Sequence, residues 1–156
     1  MTIRFNRDLV RDFETRNFTA LSGRTGLYFI FHNELLIPYP FNNSRLIYIG
    51  MSESRINSIG NRLKNHFSGR SNNKGIFGYK KRWELKFTYL DWEFLKHFFP
   101  TEKIQTIESL FLESFAENYG SYPICNNRRG DSIIGKVTKL KNLIYIDWNF
   151  YGESKT

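Results

Sequence analysis

Short segments in which apolar residues cluster or alternate predict several β-strands. The compact apolar runs at 27–31 and 46–49 are rich in aromatic or β-branched residues, which favours strands. Apolar and polar side chains alternate strictly over 83–89, the pattern of a strand with one buried face. A small extra strand is expected at 35–37, inside a turn-rich stretch, and a closing strand at 143–148.

Helical periodicity marks other parts of the chain. Apolar residues recur at helical spacing over 55–67, which predicts an amphipathic helix despite the internal Gly60. A second helix is predicted over 102–119. The apolar stripes of the two helices consist of Ile56, Ile59, Leu63 and Phe67, and of Ile104, Ile107, Phe111 and Phe115. A polar helix is expected over 6–21, and the basic, glycine-bearing segment 69–78 is expected to be a mobile loop.

The order of these elements is strand, strand, helix, strand, helix, with a helical lead-in and a strand-like tail. This order indicates an α+β fold in which helices cover a small sheet. No internal repeat and no linker rich in Pro, Gly or Ser divides the chain. We therefore expect one domain with its core at about 22–130, a helical extension at 1–21 and a strand-like tail at 131–156.

Composition narrows the class of protein. With 156 residues, 40% of them hydrophobic and 17% aromatic, the chain can form one core and is not expected to be disordered. The net charge of +8 favours an acidic partner, nucleic acid before membrane, because no long apolar run or basic amphipathic helix is present.

Charges interrupt the first residues, so no secretory signal is expected. The single Cys125 excludes an internal disulfide and a multi-cysteine zinc site, which favours a reducing cytoplasm.

One carboxylate is anomalous. Winding the second predicted helix at about 100° per residue places Glu108 in the apolar stripe, whereas Glu113 and Glu117 fall on the opposite, solvated side. A carboxylate in such a stripe is costly unless it is paired, hydrogen-bonded or bound to a cation. A structural ion pair and a cation site explain Glu108 equally well.

Basic and aromatic residues add weaker signals. Arg55, Arg62 and His66 lie along one flank of the first predicted helix, and Arg62 and His66 are neighbours because they are four residues apart. An arginine fork beside a histidine N–H can bind a phosphate. Taken alone, these residues are explained more simply as a basic surface helix. Tyr28 and Tyr48 are explained more simply as core residues of their strands.

Read together, these residues resemble the GIY-YIG nuclease superfamily, which includes phage homing endonucleases, a nuclease domain of nucleotide excision repair and several restriction enzymes. The matching elements, in order, are Gly26-Leu27-Tyr28, Tyr48-Ile49-Gly50, Arg62 with His66, Glu108, and Pro123-Ile124-Cys125-Asn126. The similarity covers about 26–127, and the segment 61–67 is especially similar to the catalytic helix of the homing enzymes.

The chain departs from the family pattern in several places. Leu27 replaces the usual isoleucine, and Met51 stands where some members have a lysine. The gap between the tyrosine motifs is long, consistent with an insertion at 38–44. The spacing from the carboxylate to Asn126 is also long, which leaves Glu113 as a rival metal ligand.

The resemblance implies a small, mostly antiparallel sheet flanked by helices and a DNA endonuclease that depends on Mg²⁺ or Mn²⁺. Glu108 would hold the cation, and Arg62 would bind the phosphate. Tyr28 or Tyr48 would take a proton from the attacking water, with Arg62 and the metal favouring the phenolate. His66 would orient the water or phosphate, or assist proton transfer.

Residues outside the centre have supporting roles in this interpretation. Asn126 would position the tyrosine or the strand end, and a plain turn role is as good an explanation. Nucleic-acid contacts are expected from Arg55, Lys74, Lys80, Lys81, Arg82, Arg128 and Arg129. For any single lysine, a solvated surface role is the simpler explanation.

Other functions stay open at this point. A nucleic-acid-binding module with a degenerate catalytic centre is the main alternative, and RNA is a second substrate to consider. Restriction, repair, mobile-element mobility and defence all use this fold, and fold does not fix function. A monomer that nicks and a homodimer that cuts both strands are both compatible with the sequence.

Overall fold

A four-stranded antiparallel sheet forms the centre of the protein in the computed structural model, which describes residues 1–126, 140 and 143–152. The strands are β1 (Thr2–Ile3), β2 (Arg11–Asp12), β3 (Gly26–His32), β4 (Ile37–Pro38), β5 (Asn43–Ser44), β6 (Leu46–Ser52), β7 (Leu85–Asp91) and β8 (Tyr145–Ile146). The helices are α1 (Thr15–Thr19), α2 (Ile59–Ser68), α3 (Lys74–Arg82), α4 (Trp92–Phe98) and α5 (Ile104–Tyr119). Single 3₁₀ turns lie at Arg7–Leu9 and Trp148–Tyr151.

The order of strands in the sheet is β2-β7-β3-β6, and each neighbouring pair is antiparallel. All seven residues of β3 are buried, as expected for a strand covered on both faces. Phe29 packs against Phe111 of α5 on one face, with ring centroids 5.7 Å apart. On the other face, Tyr28 contacts His66 of α2 and His32 contacts Tyr79 of α3. The expected α+β class, with a small antiparallel sheet flanked by helices, is therefore confirmed.

The main strand predictions are confirmed, with shifted bounds. The runs at 27–31 and 46–49 lie within β3 and β6. The alternating segment 83–89 forms β7, although Trp83 precedes the strand and is exposed. The minor strands are shorter than expected, because β4 begins at Ile37 and β8 contains only two residues.

The helix predicted over 102–119 is confirmed as α5, and all four residues of its apolar stripe are buried. The helix predicted over 55–67 begins later than expected, at Ile59. The Ser54 hydroxyl accepts the backbone N–H groups of Ile56 and Asn57 and turns the chain, and Ser58 then caps the helix. Ile56 is consequently 91% exposed rather than part of the stripe.

Two helices were missed. The segment expected to be a loop at 69–78 contains the start of α3, because Asn73 caps the helix by accepting the Ile76 N–H, and Ile76 is buried. Cap and burial together outweigh the low helix propensity of the glycines in this helix. Helix α4 begins in the same way, with Asp91 accepting the N–H of Phe94.

The helix expected over 6–21 is wrong. Residues 11–12 form an edge strand on β7, where Asp12 accepts a hydrogen bond from Lys86 at 2.7 Å, and only α1 is α-helical. The first residues also belong to the core instead of extending from it. The buried side chains of this segment are Ile3, Phe5, Phe13, Phe18 and Leu21.

None of the helices in the described part of the chain combines the length and the apolar character needed to cross a membrane.

Candidate active site

Strand pairing brings two tyrosines together on one face of the sheet. Tyr28 pairs with Gly50, and Tyr48 pairs with Ile30, so the two tyrosines are diagonal neighbours. Their ring centroids lie 6.0 Å apart. The ring of His66 from α2 covers both, with its centroid 5.8 Å from Tyr28 and 5.0 Å from Tyr48.

The glycines of both tyrosine motifs are required by close contacts. The ring of Tyr28 lies directly over Gly50, and a Cβ added there would overlap the ring and lie 2.5 Å from its hydroxyl oxygen. Gly26 has a φ of +140° and faces β7, where an added Cβ would lie 2.8 Å from the Cα of Asp91. Gly50 thus creates the space that the Tyr28 side chain occupies.

His66 connects Tyr28 to the turn that follows α2. Its Nε2 lies 2.9 Å from the Tyr28 hydroxyl, and its Nδ1 lies 2.7 Å from the Ser71 hydroxyl. Burial, and secondly the charge of Arg62, lower the pKa of His66 to about 4. The imidazole is therefore neutral near pH 7, with one nitrogen donating and the other accepting.

Arg62 is held at the border of the same site. Its Nε donates to the Met51 carbonyl oxygen at 2.7 Å, which fixes the plane of the guanidinium. Within the described residues, its terminal nitrogens make no hydrogen bond or ion pair, so they remain available to an anion. A cavity of about 240 Å³ is lined by Tyr28, Tyr48, Arg62, Asn65, His66 and Ser71.

Glu108 lies on α5, and its charge affects two tyrosines that line this cavity. It is half-buried, and its charge contributes to raising the pKa of both Tyr28 and Tyr48. Gln105, one turn earlier, donates a hydrogen bond to Glu53, which directly follows β6. This contact ties the start of α5 to the end of the strand that carries Tyr48.

Glu113, the alternative metal ligand, takes part in a hydrogen bond within the fold. It is half-buried and accepts a hydrogen bond from the Tyr122 hydroxyl. Among the described residues, no cluster of three or more His, Cys, Asp or Glu side chains forms a ready-made metal cage. A single carboxylate whose charge acts on both phenols suits Mg²⁺ or Mn²⁺, which retain water and take phosphate oxygens, better than it suits zinc.

The phenols are hard to ionise in this setting. Burial is the largest cause of the rise in the pKa of Tyr28, followed by Tyr48, and Arg62 opposes this rise. The pKa of Tyr48 is also raised, first by burial and then by Glu108, again against Arg62. The groups of the protein alone therefore disfavour the phenolate, because Arg62 by itself does not outweigh burial. The expected phenolate is attributed to Arg62 and a metal ion together.

Asn126 acts on the backbone beside Tyr48. Its side chain accepts the N–H of Ile49 at 3.0 Å and donates to the carbonyl of the same residue at 2.9 Å. The backbone N–H of Cys125 donates to the Ile47 carbonyl at 2.8 Å. These contacts cover the outer edge of β6, so Asn126 holds the strand rather than lining the cavity.

The basic residues separate into different groups. Arg55 is exposed in the loop before α2, not on the helix as expected. Lys74, Lys81 and Arg82 are exposed on α3. Lys80 has a structural contact instead, because its Nζ donates to the Phe67 carbonyl at 3.2 Å and lies 4.0 Å from the centroid of that ring. Arg128 and Arg129 lie outside the described residues.

Sequence reasoning missed Asn65 and Ser71, both of which line the cavity. Asn65 is one residue before His66 on α2, and its position follows from the helix register. Ser71 returns to the site because Gly69 ends α2 in the left-handed conformation, with φ +83°. A glycine after a helix, followed by a serine, is the sequence signal that indicates this reversal.

Comparison with protein-family models, curated proteins and solved structures gives no match for this chain, so the geometry of the site and the sequence motif carry the functional argument.

Proposed function

We propose that this protein is a GIY-YIG-type endonuclease that uses a divalent cation to hydrolyse phosphodiester bonds in DNA. The observation that carries the proposal is the convergence of Tyr28, Tyr48, Arg62 and His66 on one cavity, with the charge of Glu108 acting on both phenols. These are the side chains of the sequence motif, and they come from β3, β6, α2 and α5.

Arg62 is suited to bind the scissile phosphate. Its Nε is anchored to the backbone, so the two terminal nitrogens are presented in a fixed plane. A planar pair of donors matches two non-bridging phosphate oxygens and stabilises the charge that develops on them. Glu108 would hold Mg²⁺ or Mn²⁺ together with water and phosphate oxygens, and the ion would supply charge neutralisation at the phosphate and the leaving oxygen.

Proton transfer from the attacking water passes through Tyr28. Because burial disfavours a free phenolate, Tyr28 accepts the water proton while its own hydroxyl hydrogen moves to Nε2 of His66, 2.9 Å away. The water oxygen bonds to phosphorus, one P–O ester bond breaks, and the leaving oxygen takes a proton from solvent. The bound phosphate favours the imidazolium formed in this step, because an adjacent negative charge raises the pKa of a histidine. His66 then returns its proton to solvent.

Tyr48 and Asn126 support this step. Tyr48 lies beside Tyr28, with ring centroids 6.0 Å apart, and its half-buried ring packs against His66. Asn126 fixes the backbone of Ile49, the residue that follows Tyr48. Misplacement of reacting groups by about 1 Å costs up to a hundredfold in rate, so a rigid strand edge is valuable here.

DNA beyond the scissile phosphate meets a basic surface. The net charge of +8 supplies a favourable field for a polyanion. Arg55 borders the N-terminal end of α2, and Lys74, Lys81 and Arg82 are exposed on α3. Contacts of this kind position the backbone of the nucleic acid without reading its sequence.

Cleavage of a supercoiled plasmid tests the proposal. Purified protein is expected to produce nicked or linear plasmid in Mg²⁺ or Mn²⁺ and to produce neither in EDTA. Labelled DNA and RNA oligonucleotides of the same sequence, assayed side by side, are expected to show cleavage of the DNA. Binding without cleavage of either substrate in any divalent cation would instead identify a nucleic-acid-binding module with an inactive centre.

A further inference from the structure

We infer that Ser71 is a positioning residue that holds His66 in the tautomer protonated on Nδ1, so that Nε2 is free to accept the hydroxyl hydrogen of Tyr28. The inference rests on the proposed function for its catalytic consequence. The juxtaposition that carries it is a continuous line of contacts, in which the Ser71 hydroxyl lies 2.7 Å from Nδ1 and the Tyr28 hydroxyl lies 2.9 Å from Nε2 of the same ring.

Ser71 is itself fixed by the turn that follows α2. Its backbone N–H donates to the Asn65 carbonyl at 3.2 Å, and its hydroxyl oxygen accepts the Asn73 backbone N–H at 3.3 Å. The Asn73 side chain donates to the Cys125 carbonyl at 2.9 Å. The turn is thus anchored to the segment that covers the edge of β6, and the Ser71 oxygen is held against the imidazole.

The hydrogen-bonding capacity of these groups accommodates this tautomer. A serine hydroxyl has two acceptor positions and one hydrogen. The Asn73 N–H uses one acceptor position, and an Nδ1–H of His66 fills the second. The hydroxyl hydrogen of Ser71 can then point to solvent, because the residue is only half-buried.

The other end of the ring favours the same tautomer. Tyr28 is almost completely buried, and a buried hydroxyl hydrogen requires an acceptor. Nε2 of His66 is that acceptor only when the ring proton is on Nδ1. With the opposite tautomer, Nε2–H would point at Tyr28, and His66 would have no lone pair for the proton that Tyr28 must release.

Nitrogen NMR of the imidazole rings in the full-length protein tests the inference directly. The chain has three histidines, so the signals of His66 are identified by their loss in His66→Gln. In the wild type near pH 7, Nδ1 is expected to carry the proton and Nε2 to be unprotonated. Ser71→Ala is expected to shift the ring toward the opposite tautomer, and Ser71→Thr, which keeps a hydroxyl, is expected to retain the wild-type form.

Cleavage assays give the second readout. Ser71→Ala is expected to lower the rate of DNA cleavage about tenfold or more, with the Kd for DNA unchanged. Ser68→Ala is the matched control, because Ser68 is exposed at the end of α2 and contacts only the Asn65 carbonyl in the described structure. Its rate and its His66 signals are expected to equal those of the wild type.

The results separate this inference from the nuclease proposal. A wild-type ring protonated on Nε2, or an unchanged tautomer and rate in Ser71→Ala, would overturn the role of Ser71 while leaving a cleaving enzyme in place. A wild-type protein that cleaves no nucleic acid would remove the proposed function. The NMR spectra would then still decide whether Ser71 sets the tautomer.

Discussion

Tyr28 depends on the absence of a side chain at Gly50. Gly50→Ala would place a methyl group against the phenol ring, 2.5 Å from the hydroxyl oxygen, and would push that hydroxyl away from His66. Overpacking of this kind costs about 1–3 kcal/mol of unfolding free energy. We expect that loss in denaturant unfolding, together with a fall of about tenfold or more in DNA cleavage.

Gly78 on α3 provides the control for this substitution, since nothing lies within 4 Å of a Cβ added there. Gly78→Ala is expected to leave cleavage unchanged and to stabilise the protein by up to about 1 kcal/mol, because alanine is the better helix former. A Gly50→Ala variant that behaved like Gly78→Ala would show that Tyr28 does not require this contact.

Two histidines couple stability to pH. Burial lowers the pKa of both His32 and His66 to about 4, with the charge of Arg62 adding to the effect at His66. In the described structure, neither ring nitrogen of His32 has a hydrogen-bond partner. Since the usual pKa is 6.5, their contribution to stability is complete above that pH and is lost as the pH falls toward 4.

Urea unfolding at a series of pH values measures this loss. Each histidine is expected to contribute on the order of 3 kcal/mol across the interval. His32→Phe should make the stability profile shallower, and it should not destabilise the protein at neutral pH. The His32 ring packs against Tyr79 and Trp83 and forms no hydrogen bond with any described residue. An equally steep profile in His32→Phe would contradict this assignment.

At the scale of elements, capping side chains determine where helices begin, and the periodicity of apolar residues does not reveal these positions. The stripe of α5 was predictable because it repeats over a long helix, and β3 and β6 were predictable because their apolar runs are compact. The start of α2 and the existence of α3 were not predictable. Both depend on which serine or asparagine side chain accepts a backbone N–H of the first helical turn. The local pattern at 6–21 predicted a helix. Residues 11–12 instead pair with β7 as an edge strand, a contact that lies far away in sequence.

The cap of α3 is a testable element-scale feature. Asn73 accepts the Ile76 N–H at 3.1 Å and donates to the Cys125 carbonyl at 2.9 Å. Asn73→Ala removes both hydrogen bonds from a buried position, and we expect a loss of about 1–2 kcal/mol in unfolding free energy.

Asn118→Ala is the comparison for Asn73→Ala. Asn118 is exposed on α5 and donates only to the Ser114 carbonyl of the same helix in the described structure. Its substitution is expected to change the unfolding free energy by less than about 0.5 kcal/mol. Equal effects of the two variants would mean that the α3 cap and its link to Cys125 are not stabilising contacts.

At the scale of the whole molecule, the sequence marked the residues of the candidate site better than it predicted the elements that bring them together. The phase of α5 marked Glu108, and the order of motifs marked Tyr28, Tyr48 and Arg62. The role of Ser71 was missed, because it depends on how the chain reverses after Gly69. The core contribution of residues 1–21 was also missed, because it depends on packing against strands distant in sequence.

The basic surface predicts how binding responds to salt. Exposed residues that contact phosphates release counterions, so each one removed should reduce the slope of log K against log salt by about 1. We expect this for Arg55→Ala, Lys81→Ala and Arg82→Ala in fluorescence-anisotropy titrations. Lys96→Ala, which removes an exposed lysine paired with Glu93 at 3.3 Å, should leave the slope unchanged. Identical slopes in all four variants would exclude this surface from the complex.

The most direct measurement is the rate of Mg²⁺-dependent plasmid cleavage by Glu108→Gln, with Glu117→Gln as the control on the exposed side of the same helix. Loss of the carboxylate is expected to slow cleavage by about a hundredfold or more, since a bound cation supplies several kcal/mol of charge stabilisation. The Kd for DNA should stay the same, and Glu117→Gln should cleave like the wild type. Undiminished cleavage by Glu108→Gln would contradict the account, because the cation would then have to be held elsewhere.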